Sequence, residues 1–104
     1  LIKGIVCINM IHISPWTCTK ALFERSKSYL DQNNFLMLYG PFIRNNIQTS
    51  ESNLSFDQSL KLQNPLWGLR QLEEVNKIAL ENGFNLDKVI EMQANNLSII
   101  YRLN

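Results

Sequence analysis

The stretch Cys7 to Trp16, reading CINMIHISPW, decides the fold. The residues leading into it, Gly4 to Ile8, are short, apolar and β-rich, the pattern of a strand covered on both faces. At its far end Ser14 is followed by Pro15, the form of a helix N-cap with proline in the first helical position. A strand that passes through a tight turn straight into a helix is half of a βαβ unit. In open α/β sheets, ligands sit beyond the carboxyl ends of the strands, so Asn9, Met10 and His12 are the first residues to examine for chemistry.

Working outward, Trp16 to Leu30 reads as a helix that packs through Cys18, Leu22, Ser26, Tyr29 and Leu30, with Lys20, Arg25 and Lys27 solvated. Asp31 to Asn34 is a polar turn. Phe35 to Tyr39 is a second continuous apolar run, stopped by Gly40 and Pro41. Two doubly buried strands joined by a helix imply a parallel pair with a right-handed crossover. Ile43 to Ser52 is polar and aperiodic, the composition of a lid or binding loop. Ser52 or Asn53 then caps a short helix in which Phe56 and Leu60 share a face, and Asn64 with Pro65 ends it. Gln71 to Asn82 is the clearest helix, apolar through Leu72, Val75, Ile78 and Ala79, with Gly83 as its left-handed cap. Phe84 to Met92 and Leu97 to Leu103 form a hairpin around an Asn-rich turn. The sum is a mixed four-stranded α/β sheet with helices to cover its faces.

Bulk properties narrow the function classes. The 104 residues make a single domain, and a net charge of +1 supplies no field to attract nucleic acid or acidic lipid. Two cysteines without CxxC spacing and one histidine give no metal-ligand set. Free thiols, no signal peptide and no long apolar run suit a soluble, cytoplasmic protein. The chain opens on Leu1, almost directly on a strand, as a chain whose beginning is missing would.

In this order the elements resemble the C-terminal half of a class I S-adenosylmethionine-dependent methyltransferase, a Rossmann-like fold in which the last strand runs antiparallel between the fifth and sixth. The chain then supplies strands four to seven, in the spatial order 4-5-7-6. Five motifs, Cys7 to Trp16 (CINMIHISPW), Leu38 to Phe42 (LYGPF), Ser52 to Asp57 (SNLSFD), Trp67 to Arg70 (WGLR) and Ala94 to Ser98 (ANNLS), are together similar to the methyltransferase-like 26 family, a domain of unknown function. Where that family's pattern has Asp before the main helix, this chain has Gln71 ahead of Glu74, without the usual capping box.

The resemblance implies S-adenosylmethionine as cofactor of the complete domain, with Asn9, Met10 and His12 meeting its methionine end and His12 as a candidate base. It implies an acceptor, a small molecule or another methyl acceptor, near Tyr39, Pro41, Phe42, Trp67, Arg70, Asn95 and Asn96. Each has a plainer reading. His12 caps a carbonyl, Asn9 holds the turn, Phe42 and Trp67 pack, Arg70 pairs with Glu73 or Glu74, and Asn95 and Asn96 serve the hairpin, where Asn tolerates positive φ. The Gly-rich turn and acidic residue that hold the cofactor in this fold have no counterpart, since Gly4, Gly40, Gly68 and Gly83 include no GxG pair. The chain alone is therefore not expected to bind the cofactor tightly, and a truncated, non-catalytic binding or assembly module is the competing reading. Missing a neighbour on one side, the first strand has an open edge on which a second copy can pair as a homodimer.

Overall fold

The computed structural model describes residues 2–104. Its elements are β1 (Ile2–Ile8), α1 (Trp16–Tyr29), β2 (Leu30–Gly40), α2 (Glu51–Gln63), α3 (Leu72–Glu81), β3 (Phe84–Glu91) and β4 (Leu97–Leu103). The strand order is β1-β2-β4-β3, with β1 parallel to β2 and β4 antiparallel to both of its neighbours. This is the order 4-5-7-6 expected of the C-terminal part of a methyltransferase sheet. The hairpin returns its second strand to the middle because β4 is the more apolar strand, with Leu97, Ile99, Tyr101 and Leu103 on one face, whereas β3 carries Asn85, Asp87 and Lys88 and suits an edge.

One face of the sheet is packed. Leu36 and Leu38 of β2 lie opposite Tyr101 and Ile99 of β4, and all four are fully buried beneath α1 and α3. Phe23 of α1 makes edge-on contacts with Phe84 and Tyr101 at ring separations of 5.6 and 5.3 Å, and the Tyr101 hydroxyl donates to Asn76 Oδ1 at 2.7 Å. From α3, Leu72, Val75 and Ala79 complete the layer. Gly83 closes α3 at φ 82°, the left-handed cap expected of it. Gln71 does sit at the N-cap of α3 and makes no side-chain capping bond.

The opposite face differs from expectation. The apolar run of β1 predicts burial on both sides, yet Ile2, Val6 and Ile8 are 47%, 51% and 60% exposed, while Ile5 and Cys7 face the core. Among the described residues both α1 and α3 lie on the core side, so the alternate residues of β1 are left uncovered. The ring of Phe35 lies across Gly4 on that face, where a Cβ would come within 2.5 Å of Phe35 Cζ.

Local readings shift in four places. The buried stripe of α1 is Thr19, Phe23 and Ser26, with Cys18 exposed and Tyr29 59% exposed, because the helix turns to bury Phe23 against Phe84 and Tyr101. Asp31 to Asn34 is a bulge within β2, with Asn33 at φ 66°, so the strand starts at Leu30. Ser50, not Ser52 or Asn53, caps α2 by accepting from Asn53 N at 3.2 Å, and the buried face is Asn53, Asp57 and Leu60 with Phe56 39% exposed. Pro15 is itself the N-cap of α1, and the Ser14 hydroxyl turns back to donate to Met10 O at 2.9 Å. Among the described residues no helix is long and apolar enough to cross a membrane.

Candidate active-site crevice

The first strand ends in a conformational break. Asn9 N makes a last sheet hydrogen bond to Tyr39 O at 2.8 Å, and Asn9 adopts φ 53°, a left-handed conformation that Asn tolerates better than most residues. The chain then folds into one 3-10 turn, Ile11–Ile13, which buries Ile11 and His12. The His12 ring is 5% exposed and lies edge-on to Phe56 of α2 at 5.5 Å. Gly40, at the end of β2, keeps this space open, since a Cβ there would lie 3.4 Å from both Asn9 Oδ1 and His12 Cε1.

These residues open onto a crevice of about 600 Å³ beyond the carboxyl ends of β1 and β2. Its walls are Asn9, His12 and Pro41 from the strand ends, Asn53 and Phe56 from α2, and Asn95 with Asn96 from the hairpin turn. Asn53 Nδ2 donates to Asn95 O at 3.3 Å and ties α2 to that turn. Of the four non-glycine residues with positive φ among the described residues, Asn9, Ala94 and Asn95 all line this one crevice. Strained backbone is held in place only where its surroundings fix it, and it gathers at functional sites. Burial pushes the His12 pKa below its ordinary 6.5, so the imidazole is neutral at neutral pH and able to accept a proton.

The residues singled out from the sequence divide. Asn9, His12, Pro41, Asn95 and Asn96 meet in the crevice. Met10 sits behind it, half-buried against the core, with its sulfur receiving the Ser14 hydroxyl at 3.2 Å. Tyr39 contributes its carbonyl to Asn9, and Phe42 lies in the wall of a neighbouring cavity.

Neither Trp67 nor Arg70 is among the residues lining the crevice, and Gly68 and Arg70 brace the His12 turn from behind. Gly68 N donates to His12 O at 3.0 Å, and Arg70 donates to Ser14 O at 3.0 Å and Leu66 O at 2.8 Å while stacking on Trp16 at 5.6 Å. Both bonds come from Nη2, while Nε is buried without a hydrogen-bond partner among the described residues, so Arg70 anchors the His12 turn through one nitrogen; neither Glu73 nor Glu74 is among its hydrogen-bond partners. Asp57 locks the brace, accepting from Leu69 N at 2.8 Å and pairing with Lys61 at 2.8 Å.

Sequence reasoning missed Asn53 and Phe56 as wall residues. Their signal was the motif SNLSFD, whose Asn and Phe lie three apart and so face one way on a helix.

Solved structures share this fold. A Planctomyces limnophilus O-methyltransferase family 2 protein in complex with apigenin superposes with TM-score 0.86 at 14% identity, covering 98% of this chain and 31% of that one. Human N-acetylserotonin methyltransferase in complex with SAM gives 0.85 at 11%, covering 100% and 30%. LepI in complex with SAM gives 0.83 at 10%, covering 98% and 26%. The chain thus spans about a third or less of each of these proteins, and at such identities the likeness is one of fold. Residues 1–103 match the family described as protein of unknown function (DUF938), and the chain belongs to that family.

Proposed function

We propose that this chain forms the acceptor side of an S-adenosylmethionine-dependent methyltransferase site of the methyltransferase-like 26 kind, with His12 as general base. The observation that carries the reading is His12 itself: a buried, neutral imidazole at the carboxyl end of β1, facing a crevice whose walls include three residues in left-handed backbone. The fold likeness to methyltransferases supports it.

The residues fit one end of the cofactor. The crevice of about 600 Å³ admits a polar chain, and Asn9 and Asn95 present amides to it. No glycine pair or partnering carboxylate is present to cradle the nucleoside, which in this reading is held by groups outside the sequence in hand. When bound, S-adenosylmethionine supplies an electrophilic methyl group. Asn9 and the hairpin amides Asn95 and Asn96 orient the donor and acceptor in line, which is the main demand of such a displacement. His12 would take the proton of the acceptor's hydroxyl or amine. Phe56 and Pro41 keep water from the ring.

The test is His12→Gln, with S-adenosylhomocysteine release as readout. Turnover is expected to fall by about 10²–10⁴-fold, the usual contribution of a positioned base, with little loss of melting temperature. Retained turnover, or a fall in melting temperature that accounts for all lost turnover, contradicts the reading. The open edge of β1 is, on the same proposal, a pairing surface, either for the cofactor-holding part of a methyltransferase domain or for a second copy of this chain.

A further inference from the structure

Beside the His12 crevice lies a second cavity of about 240 Å³ that shares Asn53, Asn95 and Asn96 with it. Phe42, Ile47, Met92 and Leu97 supply its apolar walls, and Arg44 is the cation in its lining. The base of the Arg44 loop is fixed: Ile43 N donates to Arg70 O at 3.0 Å, Leu72 N donates to Ile43 O at 2.8 Å, and the turn from Arg44 closes with Ile47. Asn45 N is held by Glu73 at 3.2 Å. The loop from Ile43 therefore holds Arg44 at a set position.

The Arg44 side chain is 22% exposed, and among the described residues its guanidinium makes a single hydrogen bond, Nη2 to Glu91 Oε1 at 3.0 Å, with a carboxylate that is itself 76% exposed. An exposed pair of this kind contributes little, on the order of 1 kcal/mol or less. Arginine's planar fork suits two parallel bonds to a carboxylate, so a ligand carboxylate able to engage both sides displaces Glu91 at small cost. Phe42, Ile47, Met92 and Leu97 give a flat hydrophobic body attached to that carboxylate a surface to lie on, within a lining that is otherwise polar.

We infer that this cavity is an acceptor subsite for a small aromatic or otherwise flat carboxylate, with Arg44 as the specificity residue and Glu91 as an exchangeable stand-in for the ligand's carboxylate. Calling the ligand the methyl acceptor rests on the function proposed above; its binding does not.

The experiment is a heteronuclear NMR titration of the chain with benzoate and, separately, with its neutral isostere benzamide, without methyl donor. Benzoate is expected to shift the amides of Thr49, Ser50 and Met92 and to bind about tenfold or more tighter than benzamide, a difference of about 1.4 kcal/mol. Arg44→Gln is expected to abolish the preference, and Glu91→Gln to tighten benzoate by removing its competitor. Equal binding of the two probes, benzoate affinity unchanged in Arg44→Gln, weaker benzoate binding in Glu91→Gln, or no shifts in this cavity each overturns the proposal. The dispersion of each variant's spectrum shows that it is folded. A failure here with His12→Gln still losing turnover removes only the subsite, and the converse removes only the methyl-transfer reading.

Discussion

The two faces of the sheet are built from alternate residues of the same strands, yet they meet different fates. On one, Leu36, Leu38, Ile99 and Tyr101 are sealed under α1 and α3. On the other, Val6 and Ile8 are half or more exposed, and Phe35, Met37 and Tyr39 beside them are only half-buried. Hydropathy does not distinguish these faces. The difference lies in the tertiary cover: α1 and α3 lie over the first face, whereas the alternate residues of β1 are left exposed among the described residues.

The largest effect expected from breaking this comparison is on the packed face. Tyr101→Ala or Phe23→Ala should cost about 3–5 kcal/mol, since each opens a cavity among fully buried rings. Denaturant unfolding measures it. Tyr101→Phe keeps the ring and removes only the hydroxyl bond to Asn76, for about 1 kcal/mol. On the open face, Val6→Ala should cost well under about 1 kcal/mol by the same assay. A loss at Val6 comparable to that at Tyr101 would mean that the second face is covered after all.

The open edge makes a separate expectation. At micromolar concentration the chain should sediment as a dimer or larger species, and Val6→Lys with Ile8→Lys should shift it toward monomer, since charge on an edge strand opposes pairing. A monodisperse wild-type monomer would sink pairing with a second copy and leave the fold untouched.

Much of this architecture was legible because each strand and helix carries its own punctuation. The apolar runs, Gly83, and the Asn-rich hairpin turn, whose Ala94 and Asn95 take φ 57° and 60°, placed four strands, while their order came from the resemblance to a class I methyltransferase. What escaped were features decided by a neighbour. Which side of α1 is buried depends on where Phe84 and Tyr101 present room for Phe23. The role of Arg70 depends on carbonyls of Ser14 and Leu66, the first of them 56 positions away in sequence. In the site, the strand-end rule found Asn9, His12 and Pro41, whereas the α2 wall depends on how the loop from Ile43 folds back.

A smaller effect should appear in pH. The His12 pKa is lowered in the folded chain by burial, so below its ordinary 6.5 the unfolded state takes up a proton that the folded state resists. Stability from this source is present above that value and is lost as pH falls, and His12→Gln should flatten the thermal-midpoint profile in that window. A His12 midpoint above 6.5 would reverse the sign.

The most direct test of the account is an NMR titration of the chain with S-adenosylmethionine, followed at the amides of Asn9 to Ile13 and Ala94 to Asn96. The account predicts shifts confined to those two segments, with dissociation constants of about 1 mM or weaker, worth about 4 kcal/mol at most, because on the proposed function the chain supplies only one side of the cofactor site. Micromolar binding, or shifts that leave the His12 turn unmoved, would contradict it.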